Sequence, residues 1–286
     1  MANVLITGAG SGIGMATALE LARAGHTVIA TLRHPERAPG VREIAARERL
    51  SIEIRTLDVD SDDSVRACFE GLDKPVEALV NNAGVEAHGS IEELPLAAFV
   101  DTMNTNYLGA VRCIKAVLPG MREARSGCIV NISSVAGRIA SSPLGPYVAS
   151  KFALEAISEV LAGEVKPFNI RVAIVEPGVQ DTKMARTIGK PAPSAYPHSA
   201  RFAGLFQAAL ANPVPPETTA AVIRHIVESG TWQLRHPSGP DAAAFLGWRA
   251  SMTDEQFVDW NAQGDEAWYE SVQRDFGMNA RVENRG

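Results

Sequence analysis

The fold is decided by a short segment near the amino terminus, Val4-Leu5-Ile6-Thr7-Gly8-Ala9-Gly10-Ser11-Gly12-Ile13-Gly14. Its first three residues predict a buried strand, and the glycine-rich turn leads into an Ala- and Leu-rich helical segment that stops at Gly25. Glycines in this position let backbone N–H groups approach a pyrophosphate at the helix N-terminus. We therefore predict a dinucleotide site that includes Gly8, Gly10, Ser11, Gly12, Ile13 and Gly14.

Five further apolar runs repeat the pattern of the first strand. They lie at residues 27–30, 52–57, 78–80, 129–132 and 172–175. Helical stripes such as residues 13–24 and 148–165 separate them. Continuously apolar strands that alternate with helices are typical of a parallel sheet covered on both faces. The sequence predicts an α/β fold, a doubly wound parallel sheet of the Rossmann type.

The domain organisation follows from the absence of a linker. Residues 4–182 form an uninterrupted core, and we predict one domain over residues 1–286. Residues 183–216, rich in Pro, Ala and small side chains, favour a mobile segment or a lid over a substrate. A helix at 218–229 and a short strand at 231–235 are expected next. Residues 242–286 predict a C-terminal helical extension, whose Trp248, Trp260 and Trp268 could close a pocket, contact a second subunit or pack against the body.

Composition excludes several classes of function. The chain has 286 residues and a net charge of −6 without a basic cluster, which argues against nucleic-acid binding and polybasic attachment to membranes. No run approaches the ~20 apolar residues of a membrane span, and the N-terminus lacks a signal peptide pattern, so a cytoplasmic location is expected. Cys68, Cys113 and Cys128 are predicted to be reduced core thiols, and no metal-ligand spacing is present.

Three residues have the types and spacing of an acid–base site. Tyr147 and Lys151 lie one helical turn apart, and Ser134 follows the strand at 129–132. A tyrosine with its ordinary pKa of ~10 is a poor acid–base group at neutral pH, and a nearby ammonium group lowers that pKa. A serine hydroxyl can hold a substrate oxygen as charge develops on it. Ser134 and Tyr147 are thus candidate substrate-binding and catalytic residues.

The end of the second predicted strand bears on the choice of cofactor. The dinucleotide fingerprint usually places an acid about 20 residues after the turn, for the ribose 2′-hydroxyl. Here the strand ends Thr31-Leu32-Arg33. An arginine can pair with a 2′-phosphate that an acid would repel, so NADP(H) is favoured. NAD(H) remains possible through Thr31 or Glu36.

Taken together, these segments resemble the classical short-chain dehydrogenase/reductase family. The matching pieces lie within residues 4–182, in the family's order: Thr7–Gly14, Asp58-Val59, Asn81-Asn82-Ala83-Gly84, Asn106, Ser134, Tyr147, Lys151, and Pro177-Gly178 with Thr182. The glycine spacing fits the classical branch better than the extended epimerase branch. The family implies hydride transfer between a nicotinamide cofactor and a ketone or secondary alcohol.

The resemblance also implies a role for each matching residue. Asp58 and Val59 would contact adenine, while Asn81, Ala83 and Gly84 would line the adenosine side and stabilise the sheet. Tyr147 would be the general acid in reduction and the base in oxidation. Lys151 would bind the nicotinamide ribose and lower the tyrosine pKa, Ser134 would orient the carbonyl, and Asn106 would anchor a water that links Lys151 to solvent. Pro177, Gly178 and Thr182 would border the nicotinamide.

The substrate and the assembly are indicated more coarsely. Residues 147–155 and 235–241 are similar to the retinol/17β-hydroxysteroid dehydrogenase-like subgroup, which implies a hydrophobic ketone or alcohol. Family members are usually homodimers or homotetramers. Two alternatives stay open: an NAD-dependent alcohol dehydrogenase that works in the oxidative direction, and a non-catalytic nucleotide-sensing regulator. Such regulators typically lack the tyrosine or the lysine, whereas this chain keeps Asn106, Ser134, Tyr147 and Lys151.

Overall fold

The computed structural model describes residues 1–37, 39–191 and 193–281. Within these ranges, seven parallel strands form one sheet in the order β3-β2-β1-β4-β5-β6-β7. The strands are β1 (Asn3–Thr7), β2 (Thr27–Leu32), β3 (Ile52–Thr56), β4 (Ala78–Asn81), β5 (Gly127–Ile132), β6 (Ile170–Pro177) and β7 (Arg235–Ser238). The sequence prediction of a doubly wound parallel sheet is confirmed.

Helices connect the strands and cover both faces of the sheet. They are α1 (Gly12–Arg23), α2 (Pro39–Glu48), α3 (Asp62–Glu70), α4 (Leu96–Met103), α5 (Gly109–Ala124), α6 (Gly145–Val165), α7 (Lys183–Ile188), α8 (His198–Leu210), α9 (Glu217–Ser229), α10 (Ala242–Ala250), α11 (Asp254–Ala262) and α12 (Asp265–Phe276). A π-helical turn, Asn104–Leu108, joins α4 to α5, and a 3₁₀ turn, Val135–Gly137, follows β5.

Alternation along the strands produces two apolar layers. Val4 and Ile6 of β1 pack on one face with Ile223 of α9, whereas Leu5 faces the opposite layer with Ile114 of α5. Successive strand side chains point to opposite faces, so a strand with helices on both sides must be apolar throughout. All of these side chains are 5% exposed or less, which explains the continuous apolar runs in the sequence.

The order of the strands reverses beside β1, which lies between β2 and β4. The chain first builds outward to β3, then crosses back and continues from β4 to β7. At such a reversal the connections leave in opposite directions and open a crevice beyond the carboxyl ends of the strands. The glycine turn after β1 lies at this crevice.

The structure corrects the position of the last strand. The sequence predicted a strand at residues 231–235, but β7 runs from Arg235 to Ser238 and pairs with Ile174–Pro177. Pro237 lacks a backbone N–H, and it is tolerated in β7 because β7 is an edge strand, where a missing N–H breaks no ladder. The six earlier strands, the helix at 218–229 and the C-terminal helices are confirmed. The segment predicted as a lid contains α7 and α8.

The described ranges lack both a membrane-spanning helix and a cluster of metal-ligating side chains. None of their helices has the length and apolar character needed to cross a bilayer. They also contain no group of three or more His, Cys, Asp or Glu side chains placed to hold a metal ion. Cys68, Cys113 and Cys128 are free thiols buried in the core, as predicted.

Candidate active site

A cavity of about 410 Å³ lies at the carboxyl ends of β1, β4, β5 and β6. Its wall includes the glycine turn, the segments that follow these strands, and side chains of the C-terminal helices. Most of the predicted site residues line it: Gly8, Gly10, Ser11, Gly12, Ile13, Arg33, Val59, Ala83, Gly84, Ser134, Tyr147, Lys151, Pro177, Gly178 and Thr182. The fold therefore brings together residues that are far apart in the chain.

Close backbone packing explains the glycines of the turn. Gly8 and Gly12 have positive φ angles of 68° and 54°, a region that favours glycine. A Cβ on Gly14 would lie 2.4 Å from the carbonyl oxygen of Gly8, so only glycine fits there. Gly14 thus supports the turn from behind and does not line the cavity.

Thr7 and Asn82 hold the glycine turn against the end of β4. The Thr7 hydroxyl oxygen accepts hydrogen bonds from the backbone N–H groups of Asn82 and Ala83, both at 3.0 Å. The Asn82 side-chain amide donates to the carbonyl oxygens of Thr7 and Gly8, also at 3.0 Å. Both residues stand in segments that the sequence analysis quoted, but neither was assigned this role, because it depends on a contact between two strands.

Three polar features near the turn fit a dinucleotide. Ser11 precedes α1 without making a side-chain cap, so the N–H groups of the first turn have no acceptor from it. Asp60 lines the cavity, and its buried Oδ1 has no hydrogen-bond partner in the part of the chain that the structure describes, which suits a base amino group. Arg33 lines the cavity with an exposed side chain, as a partner for a 2′-phosphate requires.

Two residues predicted to contact the nucleotide lie outside the cavity wall, Asp58 and Asn81. Asp58 lies outside the cavity wall, and its Oδ1 accepts the backbone N–H of Asp60 at 3.1 Å. The Asp58 side chain thus closes the turn after β3, and Asp60 lines the wall. The predicted contact of Asp58 with adenine stays a prediction. Asn81 also lies behind the wall and donates to Asn131 Oδ1 at 2.9 Å. Its predicted role in stabilising the sheet agrees with this bond, and its predicted place on the adenosine side stays a prediction.

The catalytic candidates meet where β5 and α6 approach each other. Tyr147 and Lys151 lie on successive turns of α6, and both line the cavity together with Ser134. Ser134 Oγ also accepts the N–H of Ala136 at 3.1 Å, which fixes the serine at the start of the 3₁₀ turn. Lys151 Nζ donates to the carbonyl oxygen of Ile132 at 2.8 Å and lies 5.5 Å from the centre of the Tyr147 ring.

Asn106 lies in the π-helical turn and is 1% exposed. Its side-chain oxygen accepts the N–H of Val85 at 2.8 Å, and its amide donates to Val85 O and Ser150 Oγ, both at 2.9 Å. The side chain thus ties the segment after β4 to α6 behind the cavity wall. Its predicted role in anchoring a water beside Lys151 stays a prediction.

Burial shifts the pKa values of the tyrosine and the lysine. It raises the pKa of Tyr147 to about 12, and the hydrogen bond with Ser134 opposes this only in part. It lowers the pKa of Lys151 to about 8, against the charge of Glu155. The predicted role of Lys151 in lowering the Tyr147 pKa stays a prediction. Both groups lose water that would stabilise their charged forms, and the ammonium is bound to a carbonyl oxygen.

Two buried carboxyl groups lie behind the catalytic residues. Glu155 follows Lys151 by one turn of α6, and Glu176 precedes Pro177 in β6; they are 4% and 1% exposed. Arg235 approaches Glu155 at 3.1 Å and Glu176 at 3.5 Å. Burial and the neighbouring Glu155 raise the pKa of Glu176 to about 7, despite the arginine. The sequence analysis did not identify this pair, since their proximity depends on the packing of α6 on the sheet.

The other end of the cavity is an aromatic chamber, which we define by Phe202, Phe206, Phe245, Trp248, Trp260, Trp268 and Phe276. The ring centres of Trp248 and Trp260 are 4.9 Å apart, and those of Trp260 and Trp268 are 5.7 Å apart, in edge-to-face contacts. Of the roles left open for the tryptophans, the structure therefore places them on the wall of the cavity. In the sequence, the sign of this role was the presence of three tryptophans in the otherwise polar residues 242–286.

The comparisons with known proteins agree with this geometry. A family model described as short chain dehydrogenase matches residues 2–192. Human retinol dehydrogenase 8 is 45% identical over 180 residues, which cover 61% of this chain and 58% of that protein. The uncharacterized oxidoreductase YusZ of Bacillus subtilis is 41% identical over 187 residues, covering 64% of this chain and 66% of that protein. The matches thus span less than two thirds of these relatives.

A solved structure extends the likeness over nearly the whole chain. It is a short-chain dehydrogenase from Streptomyces avermitilis, which superposes with a TM-score of 0.77 at 33% identity and covers 91% of this chain and 96% of its own. The predicted resemblance to the family, with retinol dehydrogenase-like relatives, is confirmed.

Proposed function

The chain belongs to the short-chain dehydrogenase family, and we propose that it is an NADP(H)-preferring oxidoreductase for a hydrophobic ketone or secondary alcohol. The observation that carries this proposal is the position of Ser134, Tyr147 and Lys151 in one cavity with the glycine turn and the aromatic chamber. A cofactor on the turn and an apolar substrate in the chamber would meet at these residues.

The protein's own groups would position the substrate and move a proton. The nicotinamide, when bound, supplies or accepts the hydride. Tyr147 is protonated at neutral pH, since its pKa is raised to about 12, and its hydroxyl can donate a proton to the carbonyl oxygen of a ketone. Ser134 would donate a hydrogen bond to the same oxygen, and the buried ammonium of Lys151 would bind ribose hydroxyl groups.

The preference for NADP(H) rests on the end of β2. Arg33 is exposed on the cavity wall, and Leu32 beside it carries no charge. The Thr31 hydroxyl, which could have served NAD(H), is fully buried and donates to the carbonyl oxygen of Ile6 at 2.9 Å. No residue of β2 is acidic, so the positive charge of Arg33 at the end of this strand favours a 2′-phosphate.

Replacing the tyrosine tests the proposed chemistry. Tyr147→Phe removes the hydroxyl and keeps the ring, so turnover should fall by orders of magnitude while NADPH still binds. Ketone reduction followed at the NADPH absorbance, together with NADPH binding by fluorescence, measures both effects. Near-normal turnover would remove Tyr147 from the role of proton donor.

The cofactor preference has a separate test. Arg33→Ala should raise the Michaelis constant for NADPH by about tenfold or more and leave that for NADH nearly unchanged, because a charge-assisted bond to phosphate is worth more than about 1.4 kcal/mol. Arg66→Ala is a matched control, since Arg66 is an exposed arginine of α3 outside the cavity wall. Equal effects on the two cofactors would overturn the assignment of Arg33.

We also propose that the chain assembles as a homodimer or a homotetramer. Leu96 and Val100 of α4 are 77% and 58% exposed, and Phe152 of the contacting helix α6 is 42% exposed. Exposed apolar side chains on adjoining helices support a surface that a second copy would cover. Light scattering that finds only monomers would overturn this proposal.

A further inference from the structure

A buried arginine interrupts the apolar lining of the aromatic chamber. Arg201 of α8 is 4% exposed and lines the cavity. Its Nε donates to Asp265 Oδ1 at 2.7 Å, and its Nη2 lies 2.6 Å from the same oxygen. Its Nη1 is buried and has no hydrogen-bond partner among the described residues. One edge of the guanidinium is thus paired and the other is not.

The unpaired nitrogen calls for an explanation. A buried donor that lacks a partner loses its hydration without compensation, and the loss is larger when the donor is charged, so such groups are rare in folded proteins. Trp248 Nε1 is a second buried donor in the same lining without a partner among the described residues. Two such donors in one chamber indicate that the chamber is built to receive a group that accepts hydrogen bonds.

The charges around Arg201 indicate an anionic acceptor. Asp265 lies outside the cavity wall with a side chain that is 61% exposed, so solvent screens its charge. Asp60 is the one acidic residue among the described lining residues, and it follows β3 near the glycine turn rather than the chamber. The guanidinium is paired with Asp265 on one edge and lies over the Trp268 ring, 5.8 Å from the ring centre. Its Nη1 meets no carboxylate among the described lining residues. A carboxylate on a bound ligand would satisfy this unpaired edge.

Resting on the proposed function, we propose that the substrate is an apolar ketone or secondary alcohol whose far end carries a carboxylate, and that Arg201 binds this carboxylate. Tyr147 and Ser134 would hold the reacting oxygen at one end of the cavity. The aromatic rings would cover the apolar body, and the guanidinium would bind the other end. A hydrophobic keto acid, or the matching hydroxy acid, has a group that fits each of these three parts of the wall: the catalytic hydroxyls, the aromatic rings and the guanidinium.

The experiment compares three matched ligands. Medium-chain keto acids of increasing length are each paired with their methyl ester and with the ketone that lacks the terminal group. Binding is measured by the quenching of tryptophan fluorescence, because Trp248, Trp260 and Trp268 line the chamber. Using Tyr147→Phe protein, with and without NADP⁺, separates binding from turnover.

For at least one chain length, the keto acid should bind about tenfold to hundredfold more tightly than its ester and its parent ketone. Arg201→Met should abolish the difference in affinity between the keto acid and its two uncharged partners. Arg186→Met is the control, since Arg186 is an exposed arginine of the neighbouring helix α7 outside the wall. Arg201→Lys keeps a cation that can pair with Asp265, so the protein should fold. Its one ammonium nitrogen is then occupied, so the keto acid should no longer bind more tightly than its ester and its parent ketone.

The outcomes separate this inference from the proposed function. Equal binding of acid, ester and ketone at every length would overturn the inference while leaving ketone reduction intact. An acid preference that survives both Arg201 variants would also overturn it. Acid binding that depends on Arg201, without turnover of any keto acid by the unmodified protein, would support the carboxylate site and overturn the proposed reaction.

Discussion

Glu176 offers a quantitative test of how the site is built. Burial raises its pKa from 4.5 to about 7, and the group is 1% exposed. A carboxyl group whose pKa is raised by folding favours the protonated state in the folded protein. The folded state therefore loses stability as pH rises from about 4.5 to about 7, and the full loss is present above that range. The rise in pKa by about 2.5 corresponds to a loss of about 3 kcal/mol in the free energy of unfolding.

The variant Glu176→Gln removes the ionisation and keeps the shape of the protonated group. The gain in stability, taken as the free energy of unfolding of the variant minus that of the unmodified protein, should be about 2–3 kcal/mol larger at about pH 8.5 than at about pH 5. Urea unfolding followed by circular dichroism at the two pH values measures this. The usual expectation for losing an ion pair is the opposite, because Arg235 lies 3.5 Å from the carboxylate.

Glu159→Gln is the matched control for this experiment. Glu159 also pairs with Arg235, but its side chain is 55% exposed, so its charge is already solvated. We expect its stability relative to the unmodified protein to change little between the two pH values. A Glu176→Gln protein that is less stable at both pH values by the same amount would refute the reasoning. It would show that attraction to Arg235 outweighs the loss of hydration.

Two further substitutions test the catalytic end of the cavity. Glu155→Gln should move the alkaline limb of the kcat/KM profile to lower pH, because the charge of Glu155 opposes the burial that lowers the Lys151 pKa to about 8. Glu155→Asp should largely restore the limb. An unmoved limb would contradict the effect of Glu155 on Lys151. Gly14→Ala should weaken NADPH binding by about tenfold or more, since its Cβ would meet backbone at 2.4 Å, whereas Gly163→Ala, with nothing within 4 Å of the added carbon, should bind normally. Binding by Gly14→Ala equal to that of the control would count against the tight turn.

Local pattern carried much of the prediction for the first 182 residues. Continuous apolar runs identify buried strands because both faces of the sheet are covered, and glycine identifies the turn because a side chain at Gly14 would meet backbone. The last strand was predicted too early in the chain, at residues 231–235, because Arg235-His236-Pro237-Ser238 has neither apolar character nor alternation. It becomes a strand because the edge of β6 is available to pair with it.

The sequence by itself determined the alternation of apolar strands with helices, the glycine turn, and the candidate catalytic residues Ser134, Tyr147 and Lys151. Each of these depends on spacing within one element or on a local turn. Tertiary structure alone decided which face the tryptophans cover, which carboxylate of the β3 turn reaches the wall, and the direction of the Tyr147 pKa shift. Those properties depend on desolvation and on contacts between distant segments, and neither can be read from neighbours in the chain.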